Sequence, residues 1–109
     1  MAWSPDGQTL ASVSRDRTVK LWNPRDGSLQ DSLRGHTDYV WGITWSPDGH
    51  MLATTSRDKT VRLWSVDNGR ELYRLKKHTD GVVNVAWSND GQTFASVSRD
   101  KTVRIWTFK

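Results

Sequence analysis

Three segments of the chain are near-copies of one another, spaced 42 residues apart. Residues 3–22 return without a gap at 45–64, with 14 of 20 positions identical, and at 87–106, with 15 of 20 identical. A fixed period of this size is the signature of a repeat architecture, in which each unit buries apolar surface against its neighbours. The 109 residues therefore hold about two and a half units of one repeating fold.

The middle unit predicts four short strands joined by turns. Aromatic and β-branched residues favour the strands, and Ser, Pro, Asp, Asn and Gly mark the turns between them. The predicted strands cover residues 39–45, 51–56, 60–64 and 70–75. No segment has a sustained helical period, so each unit is expected to be an antiparallel four-stranded meander.

The composition excludes several classes of protein. The chain has no cysteine, which excludes a disulfide framework and a zinc–thiolate site. It has no apolar run near the length of about 18 residues that a membrane span needs, and no glycine-rich phosphate loop. The net charge of +4 permits an acidic partner without requiring nucleic acid. We therefore predict no cofactor, no metal and no membrane contact, and we expect a cytoplasmic protein.

The period and its motifs resemble the WD-repeat β-propeller family, whose units of about 40–45 residues carry a Gly-His pair early and a Trp-Asp pair late. The early pair appears as Gly35-His36 and as Lys77-His78, whereas the late pair keeps its tryptophan and loses its aspartate. The resemblance covers nearly the whole chain. It implies an all-β fold of β-propeller blades, each a four-stranded antiparallel meander, in an incomplete ring of three blades. The blades would span residues 1–34, 35–76 and 77–109, and the last would lack its outer strand.

The ring that the resemblance implies is open. Rings of this class have roughly four to eight blades. Three blades form an arc whose two flanks, and whose edge strand over 102–106, would expose apolar surface and unpaired backbone groups. We expect the chain either to self-assemble, most simply as a two-chain ring of six blades, or to be the C-terminal portion of a longer propeller.

Histidine, hydroxyl and carboxylate side chains recur at matching places in the units. The resemblance implies that they form a buried hydrogen-bonded network, completed by a tryptophan indole, that ties each blade together. Repetition of the set argues against a catalytic triad, which needs one exposed nucleophile. The two loop histidines lie on separate blades, which argues against a metal site. The first blade lacks its histidine and is expected to be the least stable. The network residues are His36, Thr54, Asp58 and Trp64 in the second blade, His78, Ser96, Asp100 and Trp106 in the third, and Ser12, Asp16 and Trp22 in the first.

An arginine precedes the turn aspartate in every unit. In the WD-repeat family this turn lies on the top face, beside the central channel. The resemblance implies that the arginines, with residues at the start of the innermost strands, contact a partner there. Two alternatives stay open: the arginines pair with neighbouring aspartates, and Trp41 packs against the adjacent blade. The predicted partner-binding residues are Arg15, Tyr39, Trp41, Arg57, Gly81, Val83 and Arg99.

The leading hypothesis is a non-catalytic protein–protein interaction scaffold that binds an acidic peptide or protein on its top face, because arginine side chains suit carboxylates. One alternative is binding of nucleic acid or another polyanion through the same arginines, with Tyr39 and Trp41 as stacking platforms. Another is a propeller portion without independent function that assembles with other copies. An enzyme is disfavoured, since the sequence has no unrepeated catalytic set.

Overall fold

A computed structural model of the chain describes residues 1–14 and 16–107. In this part of the chain, eleven β-strands form three antiparallel sheets, and there is no helix. The first sheet has the order β1-β2-β3-β4, with β1 (Ala2–Trp3), β2 (Leu10–Val13), β3 (Thr18–Trp22) and β4 (Leu29–Arg34). The second has the order β5-β6-β7-β8, with β5 (Val40–Trp45), β6 (Met51–Ser56), β7 (Val61–Ser65) and β8 (Arg70–Leu75). The third has the order β11-β10-β9, with β9 (Val82–Trp87), β10 (Thr93–Ser98) and β11 (Val103–Thr107).

The predicted all-β architecture of blades is confirmed. Every strand expected in the middle unit is present, and its bounds differ from the prediction by at most one residue. The third sheet has three strands in the described residues, and the edge strand expected over 102–106 is β11, which pairs with β10. The predicted blade limits at 34/35 and 76/77 fall in connections between sheets, and as limits they stay a prediction.

The turn that joins β5 to β6 shows why the repeated Ser-x-Asp-Gly sequence reverses the chain. The Ser46 hydroxyl donates to Asp48 Oδ1 at 2.6 Å, and the same carboxylate oxygen accepts the His50 amide at 3.0 Å. Gly49 follows with a φ of 76°, in the left-handed region that glycine adopts without steric cost. Because the same bonds recur at residues 4–8 and 88–92, each unit reverses at the same place.

Each sheet has two apolar faces that repeat with the 42-residue period. The aliphatic face consists of Ala11, Val19 and Leu21 in the first blade, Ala53, Val61 and Leu63 in the second, and Ala95, Val103 and Ile105 in the third. The tryptophan face consists of Trp3, Leu10 and Trp22 in the first blade, Trp45, Leu52 and Trp64 in the second, and Trp87, Phe94 and Trp106 in the third.

The core lies in two seams between successive blades. In one seam the aliphatic face of the first blade packs on the tryptophan face of the second, and in the other the second blade packs on the third in the same way. Each fully buried valine or leucine stabilises the fold by about 1.5–3 kcal/mol relative to leaving it exposed. In the described part of the chain, the tryptophan face of the first blade and the aliphatic face of the third have no blade against them, so the arc is open at both ends.

Candidate functional site

A chain of hydrogen bonds crosses the second blade from Trp64 to Asp58. The Trp64 Nε1 donates to Thr54 Oγ1 at 2.8 Å, and Thr54 Oγ1 lies 2.6 Å from His36 Nε2. The His36 Nδ1 lies 2.8 Å from Asp58 Oδ2. An indole only donates and a carboxylate only accepts. Because the carboxylate only accepts, His36 Nδ1 carries the hydrogen that is donated to Asp58.

Asp58 is the most heavily bonded acceptor of this network. Its Oδ2 also accepts the Thr37 amide at 3.0 Å, and its Oδ1 accepts the Thr60 amide at 2.9 Å and the Thr60 hydroxyl at 2.5 Å. Burial alone would raise the pKa of Asp58, but the hydrogen bonds from His36 and Thr60 outweigh it and hold this pKa well below its ordinary value. The carboxylate is therefore ionised and fully engaged.

Arg62 and Glu71 belong to the same network, and sequence reasoning missed both. The buried Arg62 guanidinium donates to Glu71 Oε1 at 2.9 Å and to Thr60 Oγ1 at 3.2 Å, and its Nη2 lies 3.6 Å from Asp58 Oδ2. Gly35 leaves room for it, because a Cβ built there would lie 2.9 Å from Arg62 Nη1. The strand register could have indicated Arg62, since it lies opposite Thr54.

The third blade repeats the network, and the first blade has only part of it. His78 Nε2 lies 2.8 Å from Ser96 Oγ and its Nδ1 lies 2.9 Å from Asp100 Oδ2, while Trp106 Nε1 donates to Ser96 at 2.9 Å. In the first blade Trp22 Nε1 donates to Ser12 Oγ at 2.9 Å.

Asp16, which was expected to join Ser12 and Trp22, does not do so. With no histidine facing it, the exposed Asp16 carboxylate accepts from the Thr18 hydroxyl at 2.5 Å and from Lys20 Nζ at 2.9 Å. These two hydrogen bonds, with one from Ser14, lower the pKa of Asp16. Asp16 therefore forms hydrogen bonds within its own turn and is not connected to the Trp22–Ser12 pair.

Apart from Arg15, the predicted partner-binding residues lie at the top face, the end of the sheets that carries the Ser-Arg-Asp turns. In the second blade the Arg57 amide donates to the Tyr39 carbonyl at 3.0 Å, and in the third the Arg99 amide donates to the Gly81 carbonyl at 2.9 Å. Each arginine turn is thereby fastened to the start of the innermost strand. Tyr39, Arg57 and Arg99 are exposed.

Trp41 joins the second and third blades at this face. Its ring covers Gly81: a Cβ built on Gly81 would lie 2.7 Å from Trp41 Cζ3 and 3.3 Å from the Cα of Arg57. Trp41 is half-buried, so packing against the adjacent blade accounts for part of its surface. Gly81 is buried beneath the indole, and its role as a partner contact stays a prediction.

A cleft of about 530 Å³ opens beside these residues, between the first and second blades. Tyr39, Val40 and Trp41 line one side, and Val13 and Ser14 line the other. Arg15, the next residue along the chain, lies outside the described residues. Val83, which occupies the place of Trp41 in the third blade, is exposed.

The charges of the top face contrast with those at the opposite end of the sheets. Arg57 pairs with Asp38 at long range, with its Nε 4.0 Å from Asp38 Oδ2. At the opposite end, hydrogen bonds from the adjacent serines lower the pKa of the turn aspartates Asp6, Asp48 and Asp90.

Within residues 1–14 and 16–107, no group of three or more His, Asp or Glu side chains is placed to hold a metal ion. In the same part of the chain, no helix has the length and apolar character needed to cross a membrane.

Comparison with known proteins identifies the repeats. The family model described as "WD domain, G-beta repeat" matches residues 1–23, 27–65 and 69–107. A 43-residue stretch is 42% identical to the chromatin assembly factor 1 subunit FAS2 homolog of Oryza sativa subsp. japonica, covering 39% of this chain and 8% of that protein. A 40-residue stretch is 45% identical to WD repeat-containing protein 86 of Homo sapiens, covering 37% of this chain and 11% of that protein.

Two other comparisons agree with these. A 40-residue stretch is 45% identical to the transcriptional repressor rco-1 of Neurospora crassa, covering 37% of this chain and 7% of that protein. The solved structure of U3-55K superposes with a TM-score of 0.93 and 25% identity, over 97% of this chain and 34% of that one. The chain thus spans between 7% and 11% of the length of the curated relatives it matches. With three matched repeats and three sheets in propeller geometry, the chain belongs to the WD-repeat family and folds as a three-bladed arc of a β-propeller.

Proposed function

We propose that the chain is a non-catalytic interaction module that binds an acidic segment of a partner protein on its top face. Proteins with WD repeats generally act as protein-interaction scaffolds. The observation that carries the proposal is the grouping of Tyr39, Trp41 and Arg57 at one end of the second blade, beside an open cleft. Tyrosine, tryptophan and arginine are the residue types that dominate binding hot spots.

Charge supports an acidic partner. Arg57 and Arg99 are exposed, and the nearest carboxylate to Arg57, that of Asp38, lies at a distance where its attraction is weak in water. A partner carboxylate could therefore form the closer, bidentate contact that guanidinium groups favour. The ionised aspartates at the opposite end of the sheets would repel the same segment, which selects the orientation of binding.

The buried state of the repeated polar sets supports a role without catalysis. The Thr54 hydroxyl is completely buried and already bonded to Trp64 and His36. A nucleophile must reach its substrate, and Thr54 does not reach solvent. The set is better suited to holding the blade together than to attacking a ligand.

Nucleic-acid binding is less well supported than protein binding. A stacking platform needs an exposed ring face, whereas the Trp41 ring is half-buried against Gly81. The names of two relatives refer to chromatin assembly and to transcriptional repression. A nuclear location is therefore as compatible with this module as a cytoplasmic one, and the cytoplasmic location stays a prediction.

The proposal is tested by fluorescence anisotropy with a labelled short peptide rich in Glu and Asp. We expect Arg57→Glu combined with Arg99→Glu to weaken binding at least about tenfold, which corresponds to roughly 1.4 kcal/mol of binding free energy. Both substituted side chains would then repel the acidic peptide. The matched control is Arg25→Glu combined with Arg70→Glu, two exposed arginines at the opposite end of the sheets. This pair changes the net charge equally and should leave the affinity unchanged.

Two probes separate the alternatives. A lysine-rich peptide of the same length should not bind. A single-stranded oligonucleotide that binds more tightly than the acidic peptide, with a steep loss of affinity on adding salt, would indicate a polyanion-binding protein instead. Equal loss of peptide affinity in the two charge-reversed pairs would contradict a binding site on the top face.

A further inference from the structure

The exposed faces at the two ends of the arc are of the two kinds that pack together in each seam between successive blades. In the aliphatic face, Leu63 of the second blade is 2% exposed under the third blade, whereas Ile105 and Val103 of the third blade are 66% and 61% exposed. In the tryptophan face, Trp45 of the second blade is 8% exposed, whereas Trp3 of the first is 58% exposed. Each chain therefore has one exposed aliphatic face and one exposed tryptophan face. Faces of these two kinds pack together in both internal seams.

We propose that the aliphatic face of the third blade docks on the tryptophan face of the first blade of a second copy of this chain. In the two internal seams, residues at the same positions of the repeat already pack together in this way. Exposed aliphatic and aromatic side chains at both ends give the free energy for association, since burying them removes apolar surface from water. A second copy is a suitable partner because its exposed tryptophan face carries the residues that pack on an aliphatic face in the internal seams, at the same strand positions.

One directional hydrogen bond would set the register of the docked blades. Within the chain, Trp45 Nε1 of the second blade donates to the Ala2 carbonyl of the first at 3.1 Å. Ala86 stands in the third blade where Ala2 stands in the first, and Trp3 stands where Trp45 stands. Across the proposed seam, Trp3 Nε1 of one copy would therefore donate to the Ala86 carbonyl of the other.

The number of copies follows from the geometry of the contact. The two docking faces differ, so the interface is heterologous, and such contacts leave a free face on the assembly until a ring closes. Propeller rings have roughly four to eight blades. Two copies supply six blades and fall in this range, whereas three copies would exceed it, so the closed assembly is expected to be a dimer.

The seam between copies should be weaker than the internal seams. Leu33 in β4 and Leu75 in β8 extend the two internal seams outward. The third sheet has no fourth strand in the described residues, so it offers no counterpart to these leucines. Association is therefore expected to depend on protein concentration.

Light scattering on a size-exclusion column over a series of concentrations tests the proposal. The mass of the 109-residue chain should rise towards twice its 12.5 kDa. Ile105→Glu should hold the mass at that of one chain, and Val103→Lys serves as a second variant of the same face. The matched control is Leu72→Glu, an exposed leucine on the outer strand of the middle blade, which should dimerise as the unchanged chain does. A single-chain mass at every concentration, or a ladder of masses, would overturn the proposal.

Mixing variants tests the head-to-tail arrangement. Trp3→Glu blocks the other half of the seam and should also give a single-chain mass. A mixture of Ile105→Glu and Trp3→Glu chains retains one intact seam, so a two-chain species should reappear. If both variants keep the far-UV circular dichroism of the unchanged chain and no such species forms on mixing, the contact is not between these two faces.

Discussion

His36 and Asp58, 22 residues apart in the chain, meet through Nδ1 and Oδ2 at 2.8 Å, and this contact fastens the loop before the second blade to a turn within it. The same relationship joins His78 to Asp100 in the third blade at 2.9 Å. In the second blade the carboxylate also faces the buried Arg62. Asp58 therefore lies beside a buried positive charge, whereas Arg104, at the matching place in the third blade, is exposed.

Asp58→Ala is expected to destabilise the chain by about 3 kcal/mol, because His36, Thr37 and Thr60 lose their buried acceptor and Arg62 loses one of its two carboxylate neighbours. Asp100→Ala should cost less. In the double variant Asp58→Ala/Arg62→Met, part of the loss should be recovered, since the buried guanidinium that has lost one of its two carboxylate neighbours is gone. Urea unfolding of the four proteins measures these differences. Equal losses in the two alanine variants, with no recovery in the double variant, would show that the Arg62 contact is immaterial.

Stability should fall in acid through the aspartates of the network. The native fold holds the pKa of Asp58 and of Asp100 below the ordinary value of about 4. The unfolded chain therefore takes up protons first as the pH falls. The stabilisation is complete above about pH 5 and is lost progressively as the pH drops through 4 towards the lower native values.

Asp58→Asn should be less sensitive to acid than the unchanged chain. The comparison is the urea midpoint at pH 6 and at pH 3, where the variant should show the smaller difference between the two conditions. The remaining aspartates still titrate, so some acid loss persists in the variant. If the two proteins lose the same stability between these pH values, the titration of Asp58 is not coupled to folding.

The same substitution at matching places of two blades should have unequal effects. Ser96 accepts from Trp106 and also contacts His78, whereas Ser12 accepts from Trp22 and meets no histidine in the described residues. Ser96→Ala is expected to cost about 1–3 kcal/mol, because the buried indole and imidazole both lose their partner. Ser12→Ala should cost less than Ser96→Ala.

Hydrogen exchange extends this comparison to whole blades. The first blade has no histidine link, so the amides of β3 should exchange faster than those of β7. Thermal unfolding of the two serine variants and exchange of the unchanged chain together measure the contribution of the histidine. A first blade that is as well protected as the second would contradict its assignment as the least stable.

Gly42 lies where the backbones of the second and third blades approach closely. A Cβ built on Gly42 would collide with Thr55 Oγ1 and would lie 2.9 Å from the Cα of Asn84 in the third blade. Gly42→Ala should cost about 1–3 kcal/mol, as overpacking of a tight core does. Adding Thr55→Ala should recover part of it, because only the backbone contact then remains. If Gly42→Ala has the same free energy of unfolding in urea as the unchanged chain, the two blades can move apart at no cost in stability.

The sequence determines the strands and the repeated polar sets, because both depend on local pattern and on the 42-residue period. The pairing of Arg62 with Glu71 was not predictable in this way, since it depends on how β8 aligns with β7 across an irregularity between Leu63 and Trp64. Gly81 was predicted to contact a partner, and its burial depends on the placement of the Trp41 ring from another blade.

Nuclear magnetic resonance of the seven tryptophan indole N–H groups gives the most direct test of the top face as the binding site. On titration with the Glu- and Asp-rich peptide, the Trp41 indole and the backbone amide of Arg57 should shift. The indoles of Trp64 and Trp106, which are bonded inside their blades, should stay in place. Shifts confined to Trp3 or to the turn at residues 46–49, with Trp41 and Arg57 unchanged, would contradict the proposed site.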